Sequence, residues 1–87
     1  MTVYISPNPG KPMAYGISQR AAQILMAHGA KVLMQMNLRE ECNTMGVQFL
    51  PQKECLEKTD VILTIGGDGT ILHEANLSLE YHKPILG

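Results

Sequence analysis

Hydrophobic and polar positions divide the chain into short apolar runs that alternate with stretches of helical periodicity. Apolar and β-branched runs bounded by Gly, Pro or Asn predict strands, whereas apolar residues three or four positions apart predict helices. Strands are predicted at residues 2–6, 31–36, 47–50, 61–65 and from 84 onward. Helices are predicted at residues 13–28, 38–45, 52–58 and from about 71. Strands that alternate with helices favour an α/β fold with a mostly parallel sheet and flanking helices.

The spacing of apolar residues also predicts which helix faces are buried. In the first helix, the predicted buried face consists of Ile17, Ala21, Ile24, Leu25 and His28. Ser18 is expected to point away from this face. In the last helix, the predicted face consists of Ile71, Leu72, Ala75 and Leu79. Glu74 is interpreted as an acidic residue near the start of that helix, where a negative charge favours the helix dipole.

The most apolar strand is followed directly by Gly66-Gly67-Asp68-Gly69-Thr70 and then by the last helix. In a parallel sheet this turn lies at the carboxyl ends of the strands, where ligands bind. Glycines let a phosphate group approach without meeting a Cβ, and the free N–H groups of a helix start attract anions. Three glycines therefore indicate a phosphate site. The alternative is a turn in which Asp68 or Thr70 only caps the helix.

Asp68 suggests a role other than phosphate binding, because a carboxylate repels phosphate. It is suited to accept a proton or a hydrogen bond from a hydroxyl group, or to hold a metal ion that bridges to phosphate. The residues alone thus favour a hydroxyl substrate and a phosphate donor. His73 either donates a hydrogen bond to bound phosphate or ribose, or is an exposed residue without such a role. Asn8, in the Pro-rich loop after the first strand, is either part of a nucleotide pocket or part of a rigid connector.

Composition narrows the classes of function. A net charge of −1 over 87 residues gives no electrostatic case for a nucleic-acid partner. No apolar run approaches the about 20 residues of a membrane span, and no signal peptide is visible, so a cytoplasmic protein without a membrane partner is expected. Cys42 and Cys55 lack the spacing of a zinc or redox pair and are expected to be free thiols. No residue is predicted to ligate a metal.

The glycine turn and its surroundings resemble one group of kinases. The GGDGT sequence at residues 66–70 is shared by NAD kinases, diacylglycerol and sphingosine kinases, and phosphofructokinases. The longer stretch 59–72, followed by Lys83-Pro84-Ile85-Leu86-Gly87, looks like bacterial NAD kinase, in which GGDGTxL precedes a helix and a Pro-Ile-Leu-Gly strand. The first strand, the Pro-Asn-Pro loop and the first helix fit as well, so the resemblance covers nearly the whole chain.

Two features separate this sequence from the other kinases that share the turn. Lipid kinases usually carry an Asn-Glu-type sequence shortly after the motif, where this chain has Leu72-His73-Glu74. Phosphofructokinases usually have Ser in place of Thr70. A related lipid or sugar kinase, or a non-catalytic nucleotide-binding module, is kept as the alternative.

The resemblance implies a Rossmann-like domain of a two-domain kinase that transfers phosphate from ATP to the adenosine ribose 2′-hydroxyl of NAD, giving NADP. It implies a divalent metal, Mg²⁺, and Asp68 as the general base. The NAD contacts that it implies are Asp68, Gly69, Leu72 and His73. The phosphate-binding residues that it implies are Gly66, Gly67, Gly69 and Thr70.

Residues 1–87 are then expected to be an incomplete N-terminal α/β nucleotide-binding domain. The strand after Lys83 has barely begun at Gly87, and the all-β C-terminal domain of the family is absent from this sequence. In the family, that domain completes the NAD site and takes part in assembly. The segment alone is therefore expected to be inactive, and the full-length protein to be a homo-oligomer. The choice between ATP and polyphosphate, and between NAD and NADH, stays open.

Overall fold

The computed structural model describes the backbone of residues 1–66 and 68–87, and the side chains of residues 1–66 and 74–87. Strands and helices alternate as the sequence predicts. In chain order they are β1 (Thr2–Pro7), α1 (Met13–Ala27), β2 (Lys31–Gln35), a 3-10 helix (Met36–Leu38), β3 (Gln48–Leu50), α2 (Gln52–Lys58), β4 (Val61–Ile65), α3 (Asp68–Tyr81) and β5 (Ile85–Leu86). None of the described helices is long and apolar enough to cross a membrane.

The strands form one sheet in the order β3-β2-β1-β4-β5, and every neighbouring pair is parallel. The predicted α/β class is therefore confirmed. From β1 the chain moves outward through β2 and β3, and it then returns to the other side of β1 to place β4 and β5. This order is that of a doubly wound sheet, in which ligands bind outside the carboxyl ends of the strands where the direction reverses. That point lies between β1 and β4.

Each face of the sheet is covered by its own apolar layer. On the side of α1, the buried layer comprises Val3, Ile5, Ala22, Val32, Met34 and Cys42. On the side of α2 and α3, it comprises Tyr4, Leu33, Cys55, Leu56 and Ile62. Successive residues of β1 and β2 alternate between the two layers, as strand geometry requires. Because both faces are covered, three consecutive residues of each strand, Val3–Ile5 in β1 and Val32–Met34 in β2, are apolar without interruption.

Helix α1 packs on the sheet through a different face from the predicted one. Its buried residues are Ala14, Ser18 and Ala22, which follow one another at intervals of four. Ile17 and Ile24 are 52% and 55% exposed, so the prediction was wrong for them and for Ser18. The small side chains form a shallow stripe, which lets the helix backbone approach the sheet more closely than larger side chains would.

The prediction of a helix at residues 38–45 was also wrong. A 3-10 helix ends at Leu38 and turns follow it, and Cys42 is buried under α1 with its thiol directed at the Tyr15 carbonyl. A helix this short does not offset its nucleation cost unless a whole face packs. Both cysteines are free, as predicted, and both are buried. Burial raises the pKa of Cys55 to about 11, which keeps this thiol protonated at neutral pH.

The buried phenol of Tyr4 makes stability depend on alkaline pH. Burial raises the pKa of Tyr4 to about 12; a hydrogen bond from Gln35 Nε2 (3.0 Å) opposes the rise, and the nearby Glu74 carboxylate adds to it. The unfolded chain releases this proton near pH 10. The contribution of the protonated Tyr4 phenol to stability is therefore fully present below about pH 10 and is lost as the pH rises from 10 to 12.

We expect Tyr4 to account for a loss of about 2 kcal/mol in the free energy of unfolding over this pH range. Urea unfolding at several pH values measures the loss, and the Tyr4→Phe variant, which lacks the titrating hydroxyl, is the control. The variant should lose correspondingly less than the parent chain. Equal losses in the two proteins would show that another group causes the alkaline transition.

Candidate functional site

The carboxyl ends of β1 and β4 lie side by side in the sheet. Ser6 pairs with Thr64 and Pro7 pairs with Ile65 in parallel register. The loop of residues 8–12 after β1 and the loop that begins at Gly66 after β4 therefore leave the sheet at the same edge. This edge lies at the reversal point of the strand order, where doubly wound sheets bind their ligands.

Asn8 connects its loop to the end of β4 and the start of the glycine turn through two hydrogen bonds. Its backbone N–H donates to the Ile65 carbonyl (2.7 Å), and its side-chain Nδ2 donates to the Gly66 carbonyl (3.3 Å). Its Oδ1 accepts a hydrogen bond from the Gly10 N–H (2.9 Å). The side-chain amide thus uses its donor for the glycine turn and its acceptor for its own loop, a combination that a carboxylate does not offer. These contacts make Asn8 a connector, which is one of its two predicted roles.

Gly66 begins the turn with a backbone conformation and a surrounding that both exclude a side chain. Its φ is +118°, a region that L-residues rarely adopt. A Cβ built on Gly66 would lie 2.7 Å from Cβ of Asn8 and 3.3 Å from Cβ of Ala14. The first glycine is therefore required by the packing of the β1 loop against the turn. Its contact with phosphate stays a prediction.

The next residues of the turn open the helix that carries the predicted base. Helix α3 begins at Asp68, so Asp68, Gly69 and Thr70 lie in its first turn, where N–H groups have no intrahelical partner. The placement of Gly67 and the side chains of residues 68–73 lie outside the described residues. The roles therefore stay predictions for Gly67, Asp68, Gly69, Thr70, Leu72 and His73.

Glu74 is a buried residue whose position the sequence reading missed. It is 2% exposed, and its Oε1 accepts a hydrogen bond from the Ser6 hydroxyl (2.9 Å). The interpretation as a dipole-favouring acid at the helix start was wrong, because Glu74 lies in the second turn of α3 and faces the sheet. Leu77 and Tyr81 pack on the same layer, whereas Leu79 is 76% exposed, contrary to the predicted face. Leu77 and Tyr81 follow Glu74 by three and seven positions, a spacing that places all three on one helix face and was the available signal that Glu74 is buried.

Replacing Asn8 by Asp tests the connection between the two loops. The new carboxylate keeps an acceptor for Gly10 but places an oxygen, in place of the Nδ2 donor, opposite the Gly66 carbonyl. We expect the free energy of unfolding to fall by about 1–3 kcal/mol, since an acceptor loses its donor and faces another oxygen. Urea unfolding measures the loss. Asn37→Asp adds the same charge at an exposed position and should change stability by less than about 0.5 kcal/mol. Similar small effects at both positions would argue against the connection.

Comparison with known proteins gives a consistent result. Residues 3–87 match the family described as ATP-NAD kinase N-terminal domain. The NAD kinase of Methanothermobacter thermautotrophicus is 39% identical over 80 residues, that of Halorhodospira halophila 33% over 75, and that of Methanopyrus kandleri 32% over 77. Each of these matches covers 85% of this chain and 24–25% of the relative.

The fold is similar to that in the crystal structure of yeast NADH kinase complexed with NADH. The TM-score is 0.66 at 23% sequence identity, and the match covers 88% of this chain and 27% of the yeast chain. This chain thus spans about a quarter of the length of the proteins that it matches. The family match includes all of the sheet except its first residue, and it includes the Asn8 loop and the glycine turn. The resemblance predicted from the sequence is confirmed: the chain belongs to the ATP-NAD kinase family and corresponds to its N-terminal domain.

Proposed function

We propose that this chain is the nucleotide-binding N-terminal part of an NAD kinase. The enzyme transfers the γ-phosphate of ATP to the adenosine ribose 2′-hydroxyl of NAD, giving NADP and ADP. The observation that carries the proposal is the position of the GGDGT turn, which follows β4 at the reversal point of a doubly wound sheet. Nucleotides bind at this point in such sheets. The family match and the three NAD kinase relatives support the same reaction.

Asp68 acts as the general base in this proposal. Its carboxylate accepts the proton of the ribose 2′-hydroxyl as the phosphoryl group is transferred. An ordinary aspartate has a pKa of about 3.9, so it is a weak base for a sugar hydroxyl. Most of the acceleration therefore comes from orienting the hydroxyl in line with the phosphate, as in phosphoryl transfer generally.

The other residues of the turn bind the two nucleotides. Gly66, Gly67, Gly69 and Thr70 let phosphate approach the free N–H groups of the first turn of α3. Asp68 and Gly69 contact NAD, and Leu72 lies beside the adenine. His73 donates a hydrogen bond to NAD.

A divalent cation, Mg²⁺, accompanies ATP and neutralises charge on the transferred phosphate. Among the residues with described side chains, no three His, Cys, Asp or Glu side chains lie close enough together to hold a metal ion. Mg²⁺ usually takes several ligands from phosphates and water and only one or two from carboxylates. In this proposal Mg²⁺ arrives with ATP and is held mainly by phosphates and water.

A hybrid enzyme tests the proposal. Residues 1–87 replace the aligned segment of the Methanothermobacter thermautotrophicus NAD kinase, which supplies the remaining three quarters of its chain. We expect the purified hybrid to convert NAD to NADP when ATP and Mg²⁺ are present, as measured by an NADP-specific dehydrogenase. Polyphosphate in place of ATP, and NADH in place of NAD, then define the preferred donor and acceptor. A folded hybrid that binds NAD without forming NADP would contradict the proposed kinase activity and favour a non-catalytic nucleotide-binding module.

A further inference from the structure

Two residues near the end of β1, Asn8 and Ser6, form hydrogen bonds to the start of the glycine turn and to the helix that follows it. Asn8 binds the carbonyl of Gly66, where the chain enters the turn. Two residues earlier, the Ser6 hydroxyl donates to Oε1 of Glu74, on the helix by which the chain leaves the turn. Ser6 is 6% exposed and Glu74 is 2% exposed, so water competes little for this second hydrogen bond.

Packing alone does not explain a carboxyl group at position 74. On the same face of the sheet, two positions before Ser6 and Thr64, Tyr4 and Ile62 are fully buried. Among the described residues, Oε2 of Glu74 has no hydrogen-bond partner. Burying a carboxyl group with one unpaired oxygen costs free energy relative to an apolar side chain. A leucine would continue the stripe of Leu77 and Tyr81 at no such cost, so Glu74 contributes something other than burial.

The hydrogen bond between Ser6 and Glu74 makes the packing of α3 on the sheet directional. Apolar contacts between α3 and the sheet are non-directional and tolerate small rotations and shifts. A hydrogen bond restricts both the distance and the angle between its partners, so Ser6 limits the rotation and the axial shift of α3. Asp68 lies six residues before Glu74, about 9 Å along the helix axis. A rotation or shift of α3 therefore moves Asp68 as well.

We propose that Glu74 is a positioning residue for phosphoryl transfer. Together with Ser6 it sets the rotation and axial position of α3 on β1. The position of Asp68 relative to Gly66 follows from this placement, because Gly66 is itself hydrogen-bonded to Asn8. The catalytic consequence rests on the proposed function, whereas the placement of α3 does not. A misplacement of about 1 Å can cost a reaction about 100-fold, so this control is large enough to matter.

Four variants separate placement from simple stability. Ser6→Ala removes the donor, and Glu74→Met fills a similar volume without an acceptor. Glu74→Gln keeps an acceptor oxygen for Ser6 and is the conservative variant. Thr59→Val is the control, because it removes another fully buried hydroxyl, which donates to the Thr2 carbonyl (3.0 Å) at the opposite edge of the sheet.

The first measurement uses the 87-residue chain and does not depend on activity. Amide hydrogen exchange at residues 72–75 follows local opening at the start of α3. We expect Ser6→Ala and Glu74→Met to raise these exchange rates at least tenfold, Glu74→Gln less than threefold, and Thr59→Val less than twofold. Rates that do not change in Ser6→Ala and Glu74→Met, or that rise equally in Thr59→Val, would overturn the proposal.

The second measurement uses the hybrid enzyme. We expect kcat to fall about tenfold in Ser6→Ala and Glu74→Met while KM for NAD stays within threefold, and both constants to stay near the parent values in Glu74→Gln and Thr59→Val. Changed exchange with unchanged kcat would overturn the catalytic part of the proposal. If the parent hybrid forms no NADP, the proposed function fails, and the exchange rates still decide whether Ser6 and Glu74 place the helix.

Discussion

Replacement of Asp68 by Asn is expected to lower kcat for NADP formation by the hybrid enzyme about 100- to 10,000-fold. The amide has nearly the same shape as the carboxylate and still accepts a hydrogen bond, but it does not take the proton of the 2′-hydroxyl. The fold should be intact, because the change adds no volume. Steady-state kinetics measure the loss, and the free energy of unfolding checks the fold.

Asp60→Asn is the matched control for Asp68→Asn. Asp60 directly precedes β4, and its Oδ2 accepts a hydrogen bond from the Thr2 N–H (2.7 Å). The same substitution there should leave kcat unchanged, since a strand of five residues, about 16 Å, separates this end from the carboxyl edge. An Asp68→Asn hybrid with ordinary turnover would refute the assignment of the base.

Replacement of Gly66 by Ala is expected to lower the free energy of unfolding by about 2–6 kcal/mol. The positive φ of +118° costs an alanine about 1–3 kcal/mol. The new methyl group would also lie 2.7 Å from Cβ of Asn8, and relieving that overlap costs about 1–3 kcal/mol more. A small domain has only about 5–15 kcal/mol of stability in total, so thermal unfolding should show a large decrease in Tm.

Gly16→Ala is the control for this effect. Gly16 lies inside α1, and a Cβ there would meet no described atom within 4 Å. Because alanine favours a helix over glycine, this variant should be more stable than the parent by about 0.5–1 kcal/mol. If Gly66→Ala were as stable as the parent chain, the close contact between the Asn8 loop and the turn would be wrong.

The elements that the sequence predicted well are those with strong local signals. Strand β4 is an unbroken apolar run that ends at glycines, and β1 ends at a loop dense in proline. Such signals fix where an element begins and ends without reference to the rest of the chain. The position of the glycine turn at the carboxyl edge followed from β4 alone.

Helix faces were harder to predict, because they depend on what the helix packs against. In α1 the spacing of the large residues Ile17 and Ile24 suggested one face, whereas the sheet accepts the small residues at 14, 18 and 22. In α3 the spacing of the apolar residues suggested a face that did not include Glu74, which was interpreted instead as a residue that favours the helix dipole. Its partner Ser6 is 68 positions away in sequence, so the pairing becomes visible only with the register of β1 and β4.

The chemistry of the site could be predicted from the sequence, whereas the contacts between its residues could not. The residue types of the turn point to phosphate and a hydroxyl group from the sequence alone. Asn8 and Gly66 are 58 positions apart, and only the parallel pairing of β1 with β4 brings them into contact. The same pairing makes the first glycine necessary for packing, in addition to its predicted role in binding.

The most direct test of the proposed chemistry is the crystal structure of the hybrid enzyme with NAD bound. We expect a carboxylate oxygen of Asp68 to lie about 2.6–3.2 Å from the adenosine ribose 2′-oxygen, within hydrogen-bonding distance. An Asp68 side chain that is covered by packed neighbours, or that lies far from the ribose while NAD is bound at the carboxyl ends of β1 and β4, would contradict its role as the base.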